Sequence, residues 1–229
     1  MKKLLLVLLG ISLLASCGGG SKEANVEFRL ISDGLPHTVG ETFYKGDTAI
    51  AFDLFHLYLS NLSFDGTMAT EVAFINNADS ATAHWKVDLN KPISTISFGL
   101  GLDAEQNASD PTTFETTHPL SSAQAMYWSW ASKYRFVKAD GRANFSGILG
   151  AGDEYLIWHT GLDTLYREVT FDQPLEPGQT LIINLNLTKH LNNISLENNL
   201  LTHTDVLTFD IAERVTESLV QSFELEVIE

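Results

Sequence analysis

The stretch that decides the fold is IAFDLFHLYLSNLSF, at residues 50–64. Side chains of different polarity alternate along it, which predicts one long β-strand with a strongly apolar face. The same alternation predicts that His56 shares the other face with Phe52 and Tyr58. This segment therefore indicates a β protein.

Similar short alternating segments recur along the chain between Gly, Asn, Asp and Pro residues, a pattern typical of a sandwich or barrel. We predict an all-β fold, a single antiparallel β-sandwich domain with one or two short helices. The predicted strands are residues 26–31, 50–64, 71–75, 84–89, 93–100, 134–139, 154–160, 166–171, 180–187 and 223–228. The two predicted helices are residues 121–131, after a serine cap, and residues 211–221, where apolar residues lie four apart.

The N-terminal residues predict a lipoprotein signal peptide. Lys2 and Lys3 precede an apolar run at residues 4–14, which is shorter than the roughly 20 residues that a membrane-spanning helix needs. Cys17 follows Leu-Ala-Ser and is the only cysteine, so it is the predicted lipidation site. The predicted divisions are a signal peptide at 1–16, a lipidated, Gly-rich tether at 17–24 and one domain at 25–229. Gly18 after the cysteine favours the outer membrane, facing the periplasm or the surface.

The charge of the chain excludes some partners. Fourteen basic and 29 acidic residues give a net charge of −15, and removing Lys2 and Lys3 with the signal peptide leaves 12 against 29, or −17. Nucleic acid and anionic lipid surfaces bind clustered Lys and Arg. We therefore expect no nucleic-acid partner, and membrane association through the lipid anchor.

Sequence motifs for catalysis are largely absent. The chain has no Gly-x-Ser-x-Gly elbow, no Gly-rich phosphate loop and no His-Glu-x-x-His pair. Lipidation of Cys17 also removes the one thiol nucleophile. We expect a protein that is not an enzyme; hydrolase or glycosidase chemistry is the less favoured alternative.

Histidine and tryptophan are the residue types that indicate a metal site. The chain has seven histidines and four tryptophans, with adjacent pairs at His84-Trp85 and Trp158-His159. Imidazole suits copper, zinc and nickel, and two imidazoles with a weak third group make a Cu(I) site. A second cluster contains oxygen ligands of the kind that calcium prefers, although a solvated turn is the favoured interpretation. Its members are Asp103, Glu105, Asn107 and Asp110.

The segment MYWSWASKYRFVK, at residues 126–138, resembles the signature segment of the MbnP-like proteins, named for the methanobactin-associated periplasmic copper protein. Three further stretches agree in order and spacing: YLSN at 58–61, GLGLD at 99–103 followed by DP at 110–111 and HPL at 118–120, and WHTG at 158–161. The resemblance covers most of residues 25–225. It implies a secreted or lipid-anchored β-sandwich.

In characterised relatives, the resemblance implies copper bound by two histidines beside a tryptophan oxidised to kynurenine by a dihaem peroxidase of the MauG-like type. Carried over to this chain, it implies His118 and His159 as the first-choice metal ligands and Trp128 or Trp130 as the oxidisable ring. The sequence lacks a histidine two residues from a tryptophan, so His56 and His203 are named as substitute ligands.

These observations predict a lipid-anchored copper-binding or copper-handling protein of the cell envelope. The rival from another class is a surface binding or adhesion module without a metal, in which the sandwich presents its loops to a peptide, a polysaccharide or another envelope protein. That rival predicts an exposed aromatic patch.

Overall fold

The structure is a computed structural model and describes residues 23–229. The predicted signal peptide and Cys17 lie outside the described residues. Strands dominate and form two sheets. Their bounds are β1 (Glu23–Ser32), β2 (Leu35–Pro36), β3 (Phe43–Lys45), β4 (Thr48–Phe64), β5 (Thr67–Asn76), β6 (His84–Asp88), β7 (Ile93–Leu100), β8 (Tyr127–Ser129), β9 (Lys133–Asn144), β10 (Glu154–Gly161), β11 (Arg167–Leu175), β12 (Thr180–Asn186), β13 (Leu201–Thr202) and β14 (Phe223–Ile228).

The smaller sheet has five strands, in the order β14-β12-β1-β2, with β6 also paired with β1. β1 and β12 run parallel, and Phe28 lies opposite Ile183. The larger sheet has nine strands, in the order β11-β7-β4-β9-β10-β13; β3 and β5 also pair with β4, and β8 pairs with β9. The all-β sandwich class is confirmed, with two parallel pairs among mostly antiparallel ones. Each of the ten predicted strands overlaps an observed one.

The fold has three α-helices within residues 23–229: α1 (Ala104–Asn107), α2 (Leu187–Asn192) and α3 (Phe209–Val220). The prediction of a helix at 211–221 is confirmed, since α3 covers all but its last residue. None of the described helices has the length and apolar character that crossing a membrane requires.

The predicted helix at 121–131 is wrong. A 3-10 turn at Ser122–Gln124 ends at Ala125, whose φ of 54° is left-handed and stops a helix. The chain then forms β8, which pairs with β9. Tyr127 and Trp128 are aromatic residues, which favour strands over helices.

The predicted face of Phe52 is also wrong. The register of β4 against β9 shifts between Phe52 and Leu54, so one extra residue turns the strand over. Phe52 therefore lies in the main core beside Phe55, whereas Tyr58 belongs to a separate cluster. The sequence alternation alone does not reveal the bulge.

Two apolar clusters lie on opposite faces of the nine-stranded sheet. The main cluster fills the space between the sheets and includes Phe28, Phe98 and Trp158. The second includes Tyr58, Tyr134 and Phe136, together with Leu120 and Met126 from the segment before β8. Each large apolar side chain buried in this way contributes about 1.5–3 kcal/mol. The outer face of the larger sheet is thus partly covered by irregular segments.

Candidate metal centre

His159 lies on the outer face of the nine-stranded sheet because its neighbour occupies the core. Trp158 is fully buried between the sheets, and its Nε1 donates a hydrogen bond to the Asn199 carbonyl at 2.6 Å. Successive side chains of a strand point to opposite faces. His159 therefore points away from the five-stranded sheet, and it is buried there by the segments that cover this face.

His203 reaches His159 through the short strand β13. β13 runs parallel to β10, and Thr202 lies opposite Trp158. The next residues are fixed by hydrogen bonds, including one from the Thr204 hydroxyl to the His159 carbonyl at 2.7 Å. The Nδ1 atoms of His159 and His203 consequently lie 3.1 Å apart.

Asp140 holds the other nitrogen of His159. The Nε2 atom of His159 lies 2.6 Å from Oδ1 of Asp140, which is on the neighbouring strand β9. A carboxylate only accepts hydrogen bonds, so the imidazole Nε2–H is the donor. This hydrogen bond from His159 holds the pKa of Asp140 below its ordinary value, against the opposing effect of burial. Asp140 is therefore the ionised partner of His159.

Trp128 covers the histidine pair from the β8 side. The centre of its ring lies 5.3 Å from that of His203 and 6.1 Å from that of His159, in edge-on geometries. The guanidinium carbon of Arg135 lies 4.1 Å from the centre of the same indole. This is a cation–π contact, and the four side chains form one packed group.

Two basic side chains of this group, His203 and Arg135, have lowered pKa values. Burial lowers the pKa of His203, and the neighbouring His159 ring and the positive charge of Arg135 lower it further. Burial also lowers the pKa of Arg135, and its Nε is a buried donor with no hydrogen-bond partner. The neutral imidazole that binds metals is thus the favoured form of His203. A small cavity of about 30 Å³ lies here, lined by Trp128, Arg135, His159 and His203 among others.

The structure brings His159 together with His203 and not with His118. His118 stacks on Phe114 with ring centres 4.2 Å apart, and its Nδ1 accepts a hydrogen bond from the Leu120 amide at 3.1 Å. This ring lines a different cavity, beside Asn61 and Glu71. His118 is therefore fixed to a loop outside the group around His159.

His56 and Trp130 are also separate from the histidine pair. His56 of β4 lies two strands away from His159. It is opposite Lys138 of β9, and Lys138 is opposite His159 of β10. The His56 ring packs edge-on against Phe74 at 5.4 Å. Trp130 is 87% exposed, whereas Trp128 is 43% exposed. Of the predicted residues, the structure groups His159, His203 and Trp128.

The oxygen cluster has hydrogen-bonding roles within the fold. Asp103 caps α1 through the amides of Glu105 and Gln106, and Asp110 caps the following turn through the Thr112 amide. Asn107 donates to Asp163 at 2.7 Å and accepts from the Tyr134 amide at 3.1 Å.

Within residues 23–229, no group of three or more His, Cys, Asp or Glu side chains could hold a metal ion. Any metal at the histidine pair would therefore have low protein coordination.

Sequence reasoning missed Asp140 and Arg135. Both lie on β9: Arg135 is within the segment that carries the family resemblance, and Asp140 is two residues after it. Only their neighbours on the adjacent strand distinguish them from other charged strand residues. In the β9–β10 register, Asp140 lies opposite Ile157 and therefore diagonally across from His159. Consecutive strands commonly pair, but the alternation of each strand does not give this register.

Comparison with known protein families finds a match to the family model described as MbnP, over residues 21–208. No curated protein and no solved structure matches the chain. The matched region includes every side chain of the group around His159.

Proposed function

This chain belongs to the MbnP family, and from that premise we propose that it binds copper through His159 and His203. The observation that carries the proposal is the 3.1 Å separation of their two Nδ1 atoms beside the ring of Trp128. These two nitrogens would together hold one ion. Family membership supports copper as that ion.

The donor set fits copper better than it fits a structural zinc ion. Structural zinc sites use four protein ligands, usually with thiolates. This group offers two imidazole nitrogens, and the one cysteine of the chain is the predicted lipidation site. Two imidazoles at low coordination suit Cu(I). Bound copper would supply a redox-active centre.

Trp128 is the proposed oxidisable ring. It contacts both histidine rings, whereas Trp130 projects to solvent. We propose that kynurenine formation, which the family resemblance implies, occurs at Trp128 and uses a dihaem peroxidase of the MauG-like type as its partner. The 43% exposure of the indole supports access by such a partner.

We also propose that the protein is held in the cell envelope by lipid on Cys17 and that it is not an enzyme. β1 begins six residues after Cys17 and belongs to the five-stranded sheet. The histidine pair lies on the outer face of the other sheet. An anchor attached before β1 would leave that face available to soluble partners.

A surface binding module is the second candidate function. Exposed apolar side chains lie close in sequence to members of this group. Trp130, two residues after Trp128, is 87% exposed, and Val206 and Leu207, which follow His203, are 96% and 89% exposed. Such residues are typical of protein-binding surfaces when they form a patch. On this alternative, the histidines would only stabilise the loops that carry the patch.

Competition for Cu(I) with a chromogenic chelator tests the copper proposal on mature, detergent-solubilised protein. We expect one tightly held copper in the wild type and in His118→Ala, and its loss in both His159→Ala and His203→Ala. His84→Ala is the control for removing an imidazole, because His84 is exposed and pairs with Glu27. Equal affinity in all five proteins would reject this site.

Peptide mass analysis of native-envelope protein tests kynurenine at Trp128.

A further inference from the structure

We propose that Asp140 is a positioning residue that fixes the tautomer of His159 and so selects Nδ1 as its metal-binding atom. The inference rests on the proposed function and deepens it. Its starting point is the 2.6 Å contact between Asp140 Oδ1 and His159 Nε2. Asp140 thereby determines which nitrogen carries the proton.

The tautomer follows from the donor and acceptor inventory. An ionised carboxylate has no proton to give, so the proton of this hydrogen bond belongs to Nε2 of His159. A neutral imidazole has one N–H, which leaves a lone pair on Nδ1. That lone pair points towards Nδ1 of His203 at 3.1 Å. His159 is therefore held ready to donate electrons at this position.

His203 completes the arrangement without a metal. Two bare lone pairs 3.1 Å apart would repel each other, so the Nδ1 of His203 carries a proton and donates it to His159. For both Nδ1 atoms to donate a lone pair to one metal ion, His203 would have to carry its proton on Nε2 instead. Its Nδ1 proton would pass to solvent while Nε2 takes one up, so the ring stays neutral. Only His203 has to change its tautomer.

The strand register favours the same assignment. Asp140 of β9 lies opposite Ile157, which is two residues before His159 on β10, so the side chains of Asp140 and His159 lie on the same face of the sheet. A carboxylate that orients a ligating histidine in this way typically changes metal affinity by about 10–100-fold when removed.

Nitrogen NMR of ¹⁵N-histidine-labelled, metal-free mature protein tests the tautomer directly. We expect the wild-type His159 to show one Nε2–H form. Asp140→Ala removes the acceptor, and Asp140→Asn offers either an acceptor or a donor, so both variants should show an additional Nδ1–H population. Asp53→Asn is the matched control, because Asp53 is an exposed carboxylate that pairs with Arg142. It should retain the wild-type spectrum.

Cu(I) affinity is measured on the same proteins. We expect a loss of about 10–100-fold for Asp140→Ala and Asp140→Asn, and none for Asp53→Asn. A pure Nε2–H form of His159 in both Asp140 variants overturns the inference. If the wild type takes up no copper, the proposed function fails, while the NMR result still decides the role of Asp140. Circular dichroism checks that each variant folds.

Discussion

Trp158 and His159 are adjacent in the chain and lie on opposite sides of the nine-stranded sheet. The indole fills the core beside Phe52, with ring centres 5.7 Å apart, and the imidazole contacts Asp140 and His203 on the outer face. Two successive residues of β10 thus belong to different parts of the molecule, Trp158 to the main core and His159 to the candidate metal centre. Changes to the two side chains should have separable effects.

Trp158→Ala should destabilise the fold by about 3–5 kcal/mol, because it removes a fully buried indole and leaves the Asn199 carbonyl without its donor. Trp130→Ala removes the same side chain from an exposed position and should change the free energy of unfolding by less than about 0.5 kcal/mol. Chemical denaturation followed by circular dichroism measures both. Equal losses in the two variants would contradict the assignment of the core.

Local patterning was sufficient to predict the sandwich class and the ten main strands. Alternation identifies a strand wherever one face is apolar, and α3 has its apolar residues at helical spacing. The predicted helix at 121–131 failed because Ala125 takes a left-handed conformation and the aromatic residues after it pair with β9. The face of Phe52 failed because a bulge adds one residue to β4.

The candidate site was only partly predictable, because it depends on long-range pairing. His159 and His203 are 44 residues apart, and their contact rests on the two-residue strand β13 beside β10. A strand of only two residues is too short to show an alternation of apolar and polar residues in the sequence. From the sequence, His203 is therefore only a substitute ligand, and Asp140 is not identified. Both required knowledge of which strands are neighbours.

His190 should make the fold less stable in acid. It is completely buried against Trp158, and burial lowers its pKa from 6.5 to about 3. Between these values the unfolded chain binds the proton and the folded protein does not. Stability is therefore lost as the pH falls from about 6.5 towards 3, by up to roughly 5 kcal/mol at 1.36 kcal/mol per pKa unit.

His190→Gln isolates this contribution because it removes the titrating group. Its free energy of unfolding should fall less steeply with pH than that of the wild type over the same range. Carboxylates with a lowered pKa, such as Asp140, also make the stability depend on pH. They are present in both proteins, so the difference between the two pH profiles is due to His190. Parallel pH profiles would show that His190 does not titrate as described.

Asn107→Ala should destabilise the loop that precedes β8. The Asn107 side chain is buried, accepts from the Tyr134 amide and donates to Asp163, so its removal leaves a buried amide unpaired. The expected cost is about 1–3 kcal/mol. Thermal unfolding measures it, and Asn198→Ala, in an exposed turn, is the control. A loss no larger than that of the control would argue against this role.

Calcium chelation should leave the melting temperature unchanged, within measurement error. The oxygens of Asp103 and Asp110 cap turns, and Asn107 joins a hydrogen-bond network, so the loop is held without a cation. Thermal unfolding of mature protein with and without a calcium chelator is the measurement. A fall in the melting temperature that added calcium reverses would restore the interpretation of this loop as a calcium site.

Arg135 should oppose copper binding by its charge while it supports the position of Trp128. Its guanidinium lies over the indole, and its positive charge already lowers the pKa of His203, so it should repel a copper ion at the same position. Arg135→Gln is therefore expected to raise Cu(I) affinity by roughly tenfold at low salt, and less at high salt because ions screen the repulsion. Arg135→Lys keeps the charge and is the matched control. Chelator competition at two ionic strengths measures the effect. A fall in affinity that Arg135→Lys does not share would mean instead that the charge favours binding.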